Sequence, residues 1–340
     1  MTVLDLPDPR PTLADVARAA GVSSATASRV LNGFPQVRAQ TRRQVEQAVR
    51  TLGYVRQRAA RAGEGRRTGT VAVVMCEDGL RMFSDPFFGR IMGGINREFT
   101  AAGVQAVVLM MQAAAQATTF RYLGAGHVDG ALFVSTHARC TTALSHADFP
   151  VVSAGRPMVP DPGRYTYVDV DNRGGAEAAV RHLQAAGRQR IATVAGPKDM
   201  APGRDRLAGY VAAVAGSGVV DAGSVAHGDF GQASGEHAMR RLLDRRPKLD
   251  AVFVASDVMA VGVLRALRRA GRRVPDDVAV VGFDNAPVAR TTDPPLTTVS
   301  QPVEALGARS AGELLALLDG TAVQPRRVVL GTTLVVRESA

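Results

Sequence analysis

From residue 70 onward the sequence repeats one pattern: a short apolar run, then an amphipathic stretch. The apolar runs lie at 70–75, 104–110, 130–134, 151–154, 190–196, 251–255 and 278–283, and they are rich in Val and Ala. A near-continuous apolar run, rather than an alternating one, suits a parallel strand buried on both faces. Helical spacing fills the intervals at 88–102, 174–186, 206–215, 235–243 and 259–270. Strand–helix alternation predicts βαβ units, and so an α/β body built on parallel sheets. DGALFVS at 129–135 is echoed by DAVFVAS at 250–256, so the body reads as two similar lobes. In such folds ligands bind outside the carboxyl ends of the strands, here in the crevice between lobes.

Charge is as uneven as hydrophobicity. Residues 1–67 carry 12 Arg, no Lys and 5 acidic residues, whereas the remaining chain holds only +3 of the total +10. A small basic head on a near-neutral body points to a polyanion as the head's partner. The alternative is a solvated basic tail, and a fold signal beneath the charge argues against it.

That signal is helical. Thr12 can N-cap a helix, because its hydroxyl can accept from an otherwise unpaired backbone N–H. Leu13, Val16, Ala17 and Ala20 follow at i, i+3, i+4 and i+7. Gly21 ends the helix, and Ser23 can cap a second one over 24–31. Its buried face would be Ala27, Val30 and Leu31; the other face, Ser24, Ala25, Ser28 and Arg29, is small or basic. A third helix carries Val45, Ala48, Val49 and Leu52 and closes at Gly53. Spacing alone leaves open a helix-turn-helix and an ordinary three-helix bundle. A small-faced second helix fits a major groove about 12 Å wide.

The run TLADVARAAGVSSATASRVLN at 12–32, with VRAQTRRQV at 37–45 and LGY at 52–54, resembles the headpiece of the LacI/GalR family of bacterial transcription regulators. The resemblance implies an N-terminal all-α helix-turn-helix headpiece. In it Ser24, Ala25 and Arg29 read bases, while Thr12, Ser23, Thr26, Asn32 and Thr41 touch phosphates or brace the reading helix. Arg29 is the strongest physical candidate, since a guanidinium can bond bidentately to guanine for about 1–3 kcal/mol of discrimination. Arg38 stands where the family usually has a capping Ser.

After Tyr54 the family usually continues Pro-Asn and then a hinge helix whose Leu wedges into the minor groove. Here Arg56 and Gln57 replace Pro-Asn, and Gly63 stands at the Leu position. Glycine cannot offset unstacking by burying apolar surface between base steps. The hinge is therefore expected to be a flexible basic tether, or to bind through Arg56, Arg58 and Arg61 in a narrowed minor groove. A merely solvated linker is the alternative.

The resemblance runs on through the body, in DPFF at 85–88, VDVDN at 168–172, RDRLAGY at 204–210, GDF at 228–230, SDVMAVG at 256–262, GFDN at 282–285 and PLTTVSQP at 295–302. It implies an α/β effector domain like the periplasmic sugar-binding proteins: two Rossmann-like lobes joined by crossovers near 168–170, 298–300 and 323–325. The chain then divides into a disordered arm (1–11), the headpiece (12–55), a basic hinge (56–68) and an effector-binding and dimerisation domain (69–340). Lobe one takes 69–168 and 300–323; lobe two takes 169–299 and 324–340.

By the same resemblance Asp85, Phe87, Phe88, Arg206, Phe230, Asp257 and Asp284 map to effector-pocket positions. Physically the set suits a polyhydroxylated ligand. Carboxylates accept from hydroxyls, Arg donates in a fork, and a ring covers the apolar face of a sugar. Structural alternatives stand beside these roles: Asp85 or Asp284 as turn residues, Phe88 in the core, Arg206 as a surface charge. Ser256 replaces the family's usual Asn, and with no Trp in the chain Phe230 is left for stacking.

Other classes find no motif. The six His show neither HExxH nor a Cys/His zinc spacing, and there is no GxSxG elbow or phosphate-binding Gly-rich loop. No metal, cofactor or enzymatic activity is expected. Cys76 and Cys140 are the only cysteines, which fits a reducing cytosol. No secretory signal or bilayer-spanning run is apparent, so a cytoplasmic protein without a membrane partner is expected. The sequence thus reads as a homodimeric or tetrameric regulator, a repressor on a roughly palindromic double-stranded DNA operator. Its effector would be small and polar: a sugar first, a purine or nucleoside as the alternative. A non-specific DNA-binding protein is the third reading.

Overall fold

The computed structural model describes residues 13–31, 37–52, 67–112, 116–141, 149–215, 221–322 and 325–340. The expectations for residues 1–11, Thr12, Asn32, Arg56, Arg58, Arg61 and Gly63 lie outside the described residues. The chain divides into two compact units, Met1–Ala62 and Gly63–Ala340.

The first unit holds α1 (Leu13–Ala19), α2 (Ser24–Leu31) and α3 (Ala39–Leu52). Val16 and Ala17 of α1, Ala27 and Val30 of α2, and Val45 and Ala48 of α3 form one core. These are the positions the helical spacing selects. The turn from α1 to α2 passes through Gly21 at φ +66°. A fully buried Val is worth about 1.5–3 kcal/mol, so this core of Val and Ala leaves little margin, and end-capping matters.

Lobe one of the second unit contains β1 (Thr70–Met75), α4 (Gly79–Ser84), α5 (Pro86–Ala101), β2 (Gln105–Met110), α6 (Gln116–Gly124), β3 (Ala131–Val134), α7 (Ala138–Thr141), β4 (Val151–Ala154) and β5 (Thr166–Val170). Lobe two contains α8 (Asn172–Ala185), β6 (Ile191–Ala195), α9 (Ala201–Ala215), β7 (Val225–His227), α10 (Gln232–Arg245), β8 (Ala251–Val254), α11 (Asp257–Arg269), β9 (Ala279–Asp284) and β10 (Thr297–Ser300). The chain then returns to lobe one as α12 (Val303–Leu318) and β11 (Arg327–Leu330), and ends in lobe two with β12 (Thr333–Val335).

Each lobe carries a six-stranded sheet. The orders are β11-β5-β4-β3-β1-β2 and β12-β10-β9-β8-β6-β7. Neighbours are parallel throughout, except that β12 runs antiparallel to β10. The apolar strand runs now have their explanation. Val71, Val73 and Met75 of β1 face the core under α5 and α12, while Ala72 and Val74 face the one that includes Leu123 of α6. In β8, Val252 and Val254 pack with Met239 and Val263, and Ala251 and Phe253 pack with Leu183 and Tyr210.

One expectation needs correction, and one element is additional to those expected. The third crossover falls at 331–332 rather than 323–325, because β11 pairs in register with β5 (Arg327↔Tyr167) and so extends lobe one's sheet. Helix α12 was not foreseen. Its interior Gly307 argues against a helix in sequence, yet it is there for packing. A Cβ on Gly307 would overlap the Ile91 carbonyl of α5, and one on Gly94 of α5 would overlap the Glu304 carbonyl of α12. The two helices meet backbone to backbone.

Candidate functional site

In the first unit, α2 has two unlike faces. Ala27 and Val30 are buried, whereas Ser24, Ala25 and Arg29 are exposed. Ser23 fixes where the helix starts: its hydroxyl accepts from the Thr26 N–H at 3.2 Å and lies 2.9 Å from the Thr26 hydroxyl. Ser23 and Thr26 thus brace α2 through each other. Thr41 is half-buried on the first turn of α3.

In the second unit a cleft opens between the lobes at the carboxyl ends of their strands. It encloses about 690 Å³ including its open mouth. Asp85, Phe87, Arg206, Phe230 and Asp284 all line it. Phe88 and Asp257 do not. Phe88 is 2% exposed in lobe one's core, because its place on α5 turns it toward the sheet. Asp257 is fully buried behind the cleft, where it accepts from the Thr298 hydroxyl at 2.6 Å and the Ala286 N–H at 2.7 Å. It ties α11 to β10 and the loop after β9. Sequence reasoning missed Arg81, Arg156, Asp169, Asn172 and Gln301, which also line the cleft.

Arg206, 4% exposed on α9, is the centre of lobe two's wall. Its Nε donates to Asn172 Oδ1 at 2.8 Å, and its Nη1 donates to the Ala255 carbonyl at 2.6 Å and to Asp284 Oδ1 at 3.1 Å. The guanidinium lies 3.7 Å from the Phe283 ring centroid and 5.8 Å from that of Phe230. Asp284 also accepts from Gln301 Nε2 at 2.5 Å. Phe230 and Asp284 hold φ of 71° and 115°, values that cost a non-glycine residue about 1–3 kcal/mol each. Ser256 caps α11, accepting from the Met259 N–H at 3.2 Å.

The carboxyls of the cleft are held toward their neutral forms. Burial pushes Asp284 up to about 6, against the opposing charge of Arg206. Burial also raises Asp85, whose carboxylate caps α5 by accepting from the Phe87 N–H at 3.0 Å. It raises Asp169, which accepts from the Val170 and Arg156 N–H groups. Buried Asp257 is raised well above the usual range, first by burial and then by the charge of Asp284. Neutral carboxyls beside Arg206 suit an uncharged ligand whose hydroxyls exchange hydrogen bonds with the Asp side chains and offer oxygens to the guanidinium.

The lobes also touch across the cleft. Arg156 of lobe one donates to Asp205 of α9, with Nη2 2.6 Å from Oδ1. His137, ahead of α7, lies 2.9 Å from Asp199 of lobe two. Among the described residues, no group of His, Cys, Asp and Glu could hold a metal ion, and no helix is long and apolar enough to cross a membrane.

Comparison with known proteins adds the relatives. A family profile described as bacterial regulatory proteins, lacI family, matches residues 12–57, and one described as a periplasmic binding protein-like domain matches 180–340. The HTH-type transcriptional regulator CelR of Thermobifida fusca is 45% identical over 334 residues, covering 97% of this chain and 98% of that one. The HTH-type transcriptional repressor CytR of Escherichia coli K12 is 34% identical, covering 96% of each. A solved CelR–cellobiose complex matches with a TM-score of 0.78 at 43% identity, covering 97% of this chain and all of that one. The lac repressor dimer bound to operator and the anti-inducer ONPF matches with a TM-score of 0.71 at 30% identity, covering 97% and 99%.

Proposed function

The chain belongs to the LacI family of bacterial regulatory proteins and is a DNA-binding transcription regulator; from that premise we propose that it is a cytoplasmic, sugar-responsive repressor acting as a dimer. Ser24, Ala25 and Arg29 read operator bases from the exposed face of α2. Thr12, Ser23, Thr26, Asn32 and Thr41 seat the headpiece on phosphates, and Arg56, Arg58 and Arg61 follow the minor groove. Two-fold symmetry of the dimer calls for a roughly palindromic operator.

The effector is a neutral sugar held between the lobes. One observation carries this: Arg206, buried and pre-oriented by Asn172, Ala255 and Asp284, faces a cleft whose rings are Phe87 and Phe230. The relative solved with cellobiose makes that disaccharide the first probe. Asp85, Asp169 and Asp284 accept from its hydroxyls, and Phe230 covers a ring face. Sugar binding shifts the lobes and so releases or recruits the operator, a coupling of about 1–3 kcal/mol per site. The role is one of binding and release, with no covalent chemistry.

A thermal-shift panel of cellobiose, ribose and nucleosides tests the effector. A ligand at about 100 times its Kd stabilises by about 2.7 kcal/mol. A shift with nucleosides alone would reject the sugar. Fluorescence anisotropy on duplexes selected from a random pool tests the operator. Specific binding about 10³-fold or more above non-specific is expected.

A further inference from the structure

His137 sits between two carboxylates that belong to different lobes. Its Nδ1 is 2.9 Å from Asp199 Oδ2, in the loop between β6 and α9 of lobe two. Its Nε2 is 3.2 Å from Glu77 Oε1, just past β1 of lobe one. The ring is 7% exposed. A neutral imidazole has one N–H and one lone pair, so it can donate to only one of the two carboxylates. An imidazolium donates to both. The contact is reinforced by the Ala138 N–H, which donates to the Asp199 carbonyl at 2.7 Å, and by Arg139, 3.6 Å from the Asp199 carboxylate.

Glu77 joins this bridge to the pocket wall. The same Oε1 accepts from Arg81 Nη1 at 2.6 Å and from the Ser135 hydroxyl at 2.7 Å. Arg81 lines the cleft, with its guanidinium 5.2 Å from the Phe230 ring centroid across it. We propose that His137, as imidazolium, is a positioning residue that latches Asp199 of lobe two to Glu77 of lobe one and holds the effector cleft shut. The proposal rests on the reading of the cleft as an effector site, and it names how closure of that site is regulated.

The charged and titratable groups facing His137 are Glu77, Asp199, Arg139 and Cys140, with Arg81 behind Glu77. Burial works to lower His137, yet its hydrogen bonds to Glu77 and Asp199 hold it above its ordinary value. The closed form therefore binds this proton more tightly than an open form that lacks the Asp199 contact. The stabilisation of closure is fully present below the open-form value and is lost as pH rises through the closed-form value.

Two measurements on the full chain decide the matter. In histidine-labelled protein, NMR titration follows His137, its signal identified by its loss in His137→Gln. It should titrate above 6.5 in the wild type and fall in Asp199→Asn, which keeps the shape and an acceptor but removes the charge. Calorimetry with cellobiose from about pH 6 to about pH 8 should show wild-type affinity weakening about threefold to tenfold more than in His137→Gln. The slope left in that variant reports Asp284 and its neighbours. A His137 that titrates at or below 6.5 and ignores Asp199→Asn overturns the latch, as do superimposable cellobiose profiles. If cellobiose binds neither protein, the effector assignment falls, and the titration alone judges the latch.

Discussion

The headpiece and the cleft bind by opposite means. On α2 the candidate reading side chains, Ser24, Ala25 and Arg29, stand in water on a helix whose other face is core. In and behind the cleft wall the polar groups are buried and already paired: Arg206 with Asn172, Ala255 and Asp284; behind it, Glu77 with Arg81, Ser135 and His137. An exposed cationic surface gains affinity by releasing counterions from DNA, so its binding weakens as salt rises. A buried, paired site is screened far less by salt and answers to pH instead. On the proposed function, one chain would carry a salt-sensitive hand and a proton-sensitive hand.

Four substitutions probe that contrast. Arg206→Ala should have the largest effect, since it strands Asp284 in a buried site. A loss of about 3–5 kcal/mol in denaturant melts is expected, together with loss of measurable cellobiose binding. Unchanged sugar affinity would remove Arg206 from the site.

Asp284→Asn addresses the proton-sensitive side. The folded chain raises Asp284 to about 6, so it holds this proton more tightly than the unfolded chain does. The stability from that proton is fully present below the ordinary aspartate value and is lost as pH rises through about 6. Comparing melts across that window, the wild type should lose on the order of 2–3 kcal/mol relative to the variant. A constant difference would mean that Asp284 is not raised.

Arg29→Ala should cost about 1–3 kcal/mol on the selected operator and much less on random duplex, measured at one fixed salt. Equal losses on both duplexes would reduce Arg29 to a phosphate contact. Ser23→Ala has the smallest expected effect, about 1 kcal/mol of headpiece stability in thermal melts, since it deletes the cap on the Thr26 N–H. Sugar affinity should stay put, and if it moved the two hands would not be separable.

Local patterns in the sequence were legible wherever one element decides the outcome. Helix α2 runs over 24–31, as its cap and stripe indicate, and β1 fills its predicted span. Asp85 and Phe87 reach the cleft at the start of α5, Asp284 at the end of β9, Phe230 in the loop before α10 and Arg206 from the second turn of α9. Phe88 and Asp257 look the same in sequence, but each sits on a first turn whose neighbours turn it inward. Arg156, His137 and Asp199 were invisible because their meaning lies in partners far along the chain, and periodicity says nothing about those. Helix α12 was hidden because its Gly307 serves α5 rather than itself.

That glycine contact has a consequence for how such a regulator acquires a new effector. Helix α5 opens beside Asp85 and Phe87, and α12 opens just past Gln301, so two stretches of pocket rim hang from one fused pair of rods. Neither rod can slide to make room for a bulkier molecule without dragging the other. Retargeting the protein therefore falls to the tips, by exchanging the side chains that project from the rim while the glycines stay bare.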